Sequence, residues 1–448
     1  MKKLLTILLV AVMALSVMFG VVGCAPKGNQ TLPVCIGPEP DTIDPALNSA
    51  VDGATLIIHA FSGLVGWRKN ASGNLELYAD CAKELPEPTT LANGMVQYVF
   101  ELRDGLKWSD GSDLTAKDFE FAWKRAASDE LAADYSYMFD VIDGFADGNL
   151  NVTASADGKT LTVVLPVDVP YFYELCAFPT YMPVKESVVA DEAWATEAST
   201  YICNGPYTIT NWEHGSMIVM EKNPYYHNAD AVTMNKIIFY LSDDDGAQLA
   251  NFKSGAWLFI DSVPNNEINT LKVDYPTEFI VAGQIGTYYA CFNINKTLLP
   301  ATSTLTGVAK EQAQAEIRTA LSLLLDRDYI VQNITGSGEV PAGSFVPMGM
   351  LEPNGTEFYK NAGTSSDYYG YYNASASGFA ANVQSALTIL KKYYTFDNAT
   401  QKFTNFPTIE YLYNTSSRHA AIAEYIQQAF AVYGIEMTLG NQEWGTFL

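Results

Sequence analysis

The chain has 448 residues, of which 48% are hydrophobic and 17% charged, and a formal net charge of -24. That composition is globular, and the length exceeds one ordinary core, so two or three domains are expected and long disorder is excluded. The acidic excess repels phosphate backbones and excludes nucleic acid as a partner.

Met1-Lys2-Lys3 is a basic start, followed by an apolar run from Leu4 to Val22. Val21-Val22-Gly23-Cys24 ends the run, and the stretch Ala25-Pro26-Lys27-Gly28-Asn29-Gln30 that follows is polar. A basic region, an apolar region and a small residue before the cut form an export signal. Residues 1–23 therefore read as a signal peptide and 24–30 as a tether. Removing the leader takes Lys2 and Lys3 with it and brings the net charge to -26. Of the six cysteines, Cys35, Cys81, Cys176, Cys203 and Cys291 remain once Cys24 is set aside. They include no C-x-x-C and no Cys/His cluster, which excludes zinc and redox motifs. The expectation is buried thiols, with room for one disulfide.

The folded part opens at Asp41-Thr42-Ile43-Asp44-Pro45. Thr55 to Val65 reads as a helix running into a Gly63 turn, and Tyr98 to Leu102 as a strand. The stretch Trp108-Ser109-Asp110-Gly111 is a turn, Thr115 is an N-cap with Asp118 three residues on, and Phe119, Ala122, Trp123 and Ala126 form an apolar helical face. Thr160 to Leu165 alternates as a strand, and Val169 to Tyr173 starts a helix with Pro170 in its first turn. Asn204-Gly205-Pro206-Tyr207 is a turn. It leads to a hairpin of Thr208–Trp212 and Met217–Glu221, which closes on Asn223-Pro224-Tyr225. Ile237 to Leu241 is a further strand.

Past residue 286, Thr287 to Asn293 reads as a buried strand and Glu316 to Asn333 as a helix with an Ile317, Leu321, Leu324 and Leu325 stripe. Gly336 to Gly349 reads as loop, Ser377–Tyr394 and Arg418–Tyr433 as helices, and Thr408–Tyr413 and Ile435–Leu439 as strands. This alternation predicts an α/β domain with parallel strands.

No catalytic constellation is present. The four histidines, His59, His214, His227 and His419, stand apart. Asp243-Asp244-Asp245-Gly246 lacks the alternation of a calcium loop and reads as a solvated turn. There is no G-x-S-x-G elbow and no phosphate loop. The chain is expected to be no enzyme and to carry no cofactor or metal.

Several stretches together resemble the oligopeptide-binding lipoproteins that feed ABC importers. Trp108-Ser109-Asp110-Gly111, Thr115-Ala116, Asp118-Phe119, Trp123 and Arg125 fill a W-S-D-G-x-x-x-T-A-x-D-F-x-x-x-W-x-R signature. Asn204-Gly205-Pro206-Tyr207 with Glu221-Lys222-Asn223-Pro224-Tyr225 resembles an N-G-x-Y … E-[RK]-N-P-x-Y hairpin. Ala320-Leu321 to Asp326-Arg327 resembles an A-L-x-L-A-x-D-R helix, and Tyr413-Asn414-Thr415-Ser416 and Asn441-Gln442-Glu443-Trp444 match in order. Gly23-Cys24 is similar to a lipobox, which implies a diacylated Cys24 as the membrane anchor.

The resemblance implies an α/β, two-lobed periplasmic-binding-protein-like fold of type II, in its three-domain peptide-binding subclass. Residues 31–75 with 198–285 would form the first lobe, 76–197 a small middle domain, and 286–448 the second lobe. It implies an extracytoplasmic, monomeric binding protein that closes on a peptide and delivers it to a permease with ATPase subunits. The ligand-side positions carried over are Ser62, Gly63 and Leu64, then Tyr135 and Tyr137, Asp261 and Ser262, His419 and Trp444. Gly255-Ala256-Trp257-Leu258 departs from the G-E-I-D that precedes the Asp261 contact. The stop at Leu448 reads as a reading frame that ends early, with the last domain incomplete and weak peptide binding expected of the fragment. The alternatives are a peptide-pheromone or sensing lipoprotein without transport, and a binder of a metal chelate or haem. An extracytoplasmic hydrolase is the remaining class.

Overall fold

Alternating side chains bury one face of a strand and leave the other to solvent, and Val96–Glu101 shows how this positions the first core. Val96, Tyr98 and Phe100 point inward and Val99 outward. The computed structural model describes residues 30–191, 193–361 and 368–447. The leader and Cys24 lie outside these. The described residues fall into two units: the first runs to Ser242 and takes in Ala250–Asp261, and the second comprises Asp243–Leu249 and Ser262–Leu448.

In the first unit β1 (Thr31–Cys35), the hairpin β2 (Val65–Lys69) and β3 (Leu75–Ala79), β4 (Thr89–Thr90) and β5 (Val96–Glu101) come first. β6 (Val152–Ala154), β7 (Thr160–Leu165), β8 (Tyr207–Glu213), β9 (Met217–Lys222), β10 (Lys236–Tyr240) and β11 (Phe259–Ile260) follow. β4-β5-β7-β6 form an antiparallel sheet, with Phe100 opposite Leu161. The second sheet is ordered β11-β1-β10-β9-β8, with β1 parallel to both β10 and β11. One continuous cluster of buried side chains spans both sheets.

Helix Ala116–Ala126 starts where Thr115 is extended and its amide donates to the Asp118 carboxylate at 2.7 Å. Lys124 and Arg125 fall in its last turn, where a cation suits the helix dipole. Its buried face is Phe119, Ala122, Trp123 and Ala126, as its spacing predicts. Burying Phe119 and Trp123 contributes about 2–3 kcal/mol each. The Trp123 Nε1–H donates to the Tyr181 carbonyl at 2.8 Å, so that its polar atom is also satisfied. Asp44 and Arg125 form a bidentate pair at 2.6 and 3.1 Å, and Trp194 Nε1 donates to the same carboxylate at 3.3 Å. The tryptophan-rich signature thus builds scaffold and ties the helix to the start of the folded chain.

The second unit packs helices Gly307–Leu323, Ala376–Leu390 and Ser417–Ala431 with a parallel pair, β14 (Ile409–Asn414) and β15 (Met437–Gln442). A short hairpin, β12 (Phe396–Asp397) and β13 (Lys402–Phe403), lies between them in sequence. Ile317, Leu321, Leu390 and Ile435 are fully buried in its core.

Three expectations are corrected here. The helix expected over 316–333 is Gly307–Leu323, because Asp326 caps a new turn by accepting the Tyr329 amide at 3.0 Å. That turn, Arg327–Tyr329, runs into a π-helical turn, Ile330–Thr335. Thr287 to Asn293 forms no strand and is largely exposed, since no strand pairs with it among the described residues. Asp244 is part of a helix start and no free turn: its carboxylate accepts the Ala247 amide at 2.9 Å ahead of helix Asp245–Lys253. Cys35, Cys81, Cys176 and Cys203 are buried free thiols, and Cys291 is an exposed one.

Candidate ligand-binding site

Ser62, Gly63 and Leu64 follow helix Val51–Ala60 as buried, irregular chain leading into β2. Three sequence motifs interlock to hold them. Asn204 is buried and bonds both sides of Ser62: its Oδ1 accepts the Ser62 amide at 3.1 Å, and its Nδ2 donates to the Ser62 carbonyl at 2.8 Å. Gly205 donates to the Ala60 carbonyl at 2.7 Å, and a Cβ there would lie 2.6 Å from the Ala60 and Phe61 backbone. Glycine is therefore required at 205 by close approach alone. Asn223, fully buried, donates from Nδ2 to the Gly205 carbonyl at 2.9 Å. Ser109 closes the ring, with its amide donating to the Cys203 carbonyl at 2.7 Å and its hydroxyl accepting the Cys203 amide at 3.2 Å. The W-S-D-G turn grips N-G-P-Y, and N-G-P-Y grips Ser62.

The remaining backbone of the segment is used on one side. The Gly63 carbonyl accepts from Cys81, and the Leu64 carbonyl accepts from Asp80 and Ala82. The amides of Gly63 and Leu64 have no hydrogen-bond partner among the described residues. Two adjacent buried amides without acceptors are a deficit that a ligand carbonyl would remove. Asp80 is in turn fixed by His227 Nε2 at 2.8 Å, and its carbonyl by Arg103 Nε at 2.5 Å.

A Cβ on Gly63 would meet Met182 Sδ at 3.1 Å and the Cys176 carbonyl at 3.3 Å, so this glycine packs on the segment that carries Phe178. The Phe178 ring lies edge-on to Tyr135 at 5.4 Å, and Tyr135 lies edge-on to Tyr137 at 6.1 Å. The Tyr135 hydroxyl donates to the Ser49 carbonyl at 3.3 Å, while Tyr137 is exposed. Ser62–Leu64 and the two tyrosines are thus joined through residues 176–182. Asp261 stands apart from them, exposed beyond the edge strand β11, with its amide donating to the Cys35 carbonyl at 3.1 Å. Ser262 is the first residue of the second unit's main stretch and is exposed.

In the second unit, β14 and β15 run parallel with Asn414 opposite Gln442, so both strands end at one edge of the sheet. His419 sits in the first turn of helix Ser417–Ala431, just past β14, and Trp444 lies just past β15. The carboxyl edge of parallel strands is where open α/β sheets bind ligands. His419 Nδ1 and the Tyr288 hydroxyl are 2.9 Å apart, with their rings stacked at 5.5 Å. Burial, and secondarily the Arg418 charge, pull the His419 pKa down. Arg418 pairs with Glu339 at 3.1 Å. Trp444 stacks on Phe447 at 6.1 Å and is half-buried. Asn204 and Tyr288 are the partners sequence reasoning missed as site residues. Asn204 stood in a quoted motif but read as a turn, and Tyr288 read as strand core.

The sequence profile of the bacterial extracellular solute-binding proteins, family 5 Middle, matches residues 85–448. The chain belongs to this family. It is a binding-protein family and no enzyme family, and its members act outside the cytoplasm. The chain is 31% identical over 437 residues to the oligopeptide-binding protein OppA of Bacillus subtilis (strain 168), covering 94% of this chain and 72% of that protein. It is 31% identical over 379 residues to the dipeptide-binding protein DppE of the same organism, covering 81% of this chain and 63% of that one. Its fold matches the solved structure of Burkholderia pseudomallei OppA with a TM-score of 0.75 at 26% identity, over 94% of this chain and 76% of that one. The α/β binding-protein fold expected from the sequence is therefore the fold of this family-5 chain. Among the described residues no helix is long and apolar enough to cross a membrane.

Proposed function

We propose that the protein is an extracytoplasmic oligopeptide-binding protein, anchored through a diacylated Cys24, that delivers peptides to an ABC permease. The observation that carries this reading is the likeness to an oligopeptide-binding relative along 94% of the chain. The local geometry supports it. The free amides of Gly63 and Leu64 offer donors to a peptide backbone, which every peptide shares whatever its side chains. Each such bond contributes about 0.5–1.5 kcal/mol net, so several contacts act together. Tyr135 and Tyr137 offer amphipathic rings, and His419 and Trp444 offer an imidazole and an indole for the peptide's side chains. Asp261 and Ser262 stand at the junction between the two stretches of chain and are assigned to the same role.

Native mass spectrometry of the mature protein, purified gently from cells, tests the ligand class. Extra masses that resolve into short peptides on denaturation are expected. One discrete non-peptide mass would move the ligand to another class, and return of supplied peptides in cleaved form would replace binding by hydrolysis. Peptide uptake in a strain lacking the gene tests delivery. Loss of membrane association in a Cys24→Ser variant tests the anchor.

A further inference from the structure

Tyr226 and His227 follow the Asn223-Pro224 turn that closes β9, and each side chain reaches a different support of the Ser62–Leu64 segment. The Tyr226 hydroxyl is hydrogen-bonded to the Ser62 side chain. His227 Nε2 lies 2.8 Å from the Asp80 carboxylate, and the two side chains are only 15% and 7% exposed. The Tyr78 hydroxyl is bonded to the same carboxylate, and its ring covers β2, where a Cβ on Gly66 would lie 2.8 Å from it. A buried carboxylate is costly without its partners, so Asp80 stays where they are. Arg103 holds the same strip from its backbone side. Its guanidinium donates to the Ala79 and Asp80 carbonyls at 3.0 and 2.5 Å, and its amide to the Cys81 carbonyl at 2.9 Å.

This strip decides where two amides point. The Cys81 thiol donates to the Ser62 carbonyl at 3.5 Å, and the Cys81 amide donates to the Gly63 carbonyl at 3.0 Å. A trans peptide is planar, with its C=O and N–H pointing in opposite directions. A Ser62 carbonyl held toward Cys81 therefore turns the Gly63 amide away from it, and a Gly63 carbonyl held there does the same to the Leu64 amide. Those are the two amides without acceptors among the described residues. A shift of Asp80 carries Cys81 with it and re-aims both donors, and a hydrogen bond weakens steeply off line.

We propose that Tyr226 and His227 are positioning residues of the peptide site. Through Ser62 and Asp80 they aim the Gly63 and Leu64 amides at a peptide backbone. This role rests on the oligopeptide reading. Because it acts through backbone donors, its loss falls on every peptide alike, whatever the side chains.

The test compares the full mature protein with its His227→Leu, His227→Gln and Tyr226→Phe variants. Gln can place a donor nitrogen where Nε2 stands, and Leu cannot. Calorimetry with alanine peptides, from dipeptide to pentapeptide, finds the working length. Peptides of that length with a central Lys or Phe then probe sequence. His227→Leu should weaken all of them about tenfold and Tyr226→Phe about threefold, while His227→Gln stays within about threefold of wild type. In the ligand-free protein the Gly63 and Leu64 amide NMR signals should move in His227→Leu and return in His227→Gln. Thermal melts identify folded variants, and if His227→Leu does not fold, Tyr226→Phe, which deletes one hydroxyl, decides by the same criteria. Wild type that binds peptides while the variants bind them equally well would overturn the positioning role alone. So would a loss confined to one peptide, or amide signals that stay in place. Wild type that binds no peptide of any length would remove the oligopeptide reading and this role with it.

Discussion

The Ser62–Leu64 segment and the His419–Trp444 edge share one expected role, yet they are held by different means. Ser62 is fixed on both backbone sides by Asn204, and Asn204 stands in a ring of contacts with Ser109, Gly205 and Asn223. His419 is held by its own helix, one phenol bond and a ring stack with exposed Tyr288, and Trp444 by a stack on exposed Phe447. The first arrangement presents rigid backbone, and the second presents adjustable side chains. A binding protein that takes many peptides gains from that division, because the backbone of every peptide is alike and its side chains are not.

The frame behind the rigid region is broken most by Arg125→Ala. Asp44 is almost fully buried, so loss of its bidentate partner leaves an unpaired carboxylate beside Trp194. Such a loss costs about 3–5 kcal/mol. Urea unfolding followed by tryptophan fluorescence reads this well, since six of the seven tryptophans lie in the first unit. A cost near that of an exposed pair, such as Lys124 with Glu120, would show that the frame does not depend on the Asp44 pair.

The next effects act on the comparison directly. Asn204→Ala strands the Ser62 amide and carbonyl and should cost about 1–3 kcal/mol. Gly205→Ala forces a Cβ to within 2.6 Å of the Ala60 backbone and should cost a similar amount. Both variants should weaken binding of a peptide pool as well. Tyr288→Phe removes one exposed hydroxyl, with its bonds to His419 and Tyr411, and should cost about 0.5 kcal/mol or less. Equal costs for Asn204→Ala and Tyr288→Phe in urea midpoints would erase the distinction between a rigid and an adjustable region.

The sequence carried much of this fold and less of the site. Thr160–Leu165 reads to the residue because alternation and its antiparallel partner agree. Thr287–Asn293 carries the same apolar signal, yet forms no strand. An apolar run signals a wish for burial, but a strand exists only where another strand pairs with it, and that pairing is not local. The motifs around 108, 204 and 223 are visible as words, while their mutual grip on Ser62 spans 142 residues and leaves no periodicity to read.

Acid should weaken both units, for one reason. His59, against Tyr207 and Phe239, is pulled down in pKa by burial, with the bond to the Thr55 carbonyl opposing the shift. His419 is pulled down by burial and then by Arg418. A lowered histidine stays neutral in the fold while the unfolded chain takes up a proton near pH 6.5. Stability is therefore full above that value and falls as the pH drops through it. Urea midpoints at pH 7.5 and 5.5 should show the loss, and His59→Gln should flatten it for the first unit. An unchanged slope in His59→Gln would show that His59 titrates alike in both states.

The smallest effect has the opposite sign and lies on the surface of the first unit. The Glu39 carboxylate bonds His214 Nδ1 at 2.6 Å, raising that histidine's pKa. A raised histidine adds stability below its unfolded pKa and loses it as the pH rises through the folded value. His214 is largely exposed, so water and salt screen the pair, and Glu39 keeps its bonds to Trp212 and Gly215 without it. His214→Ala should therefore lower stability at pH 5.5 by about 0.5 kcal/mol or less and change nothing measurable at pH 8. A loss of equal size at both values would mean that His214 acts by packing against Trp212, whose ring centroid lies 5.1 Å away, and that its charge plays no part.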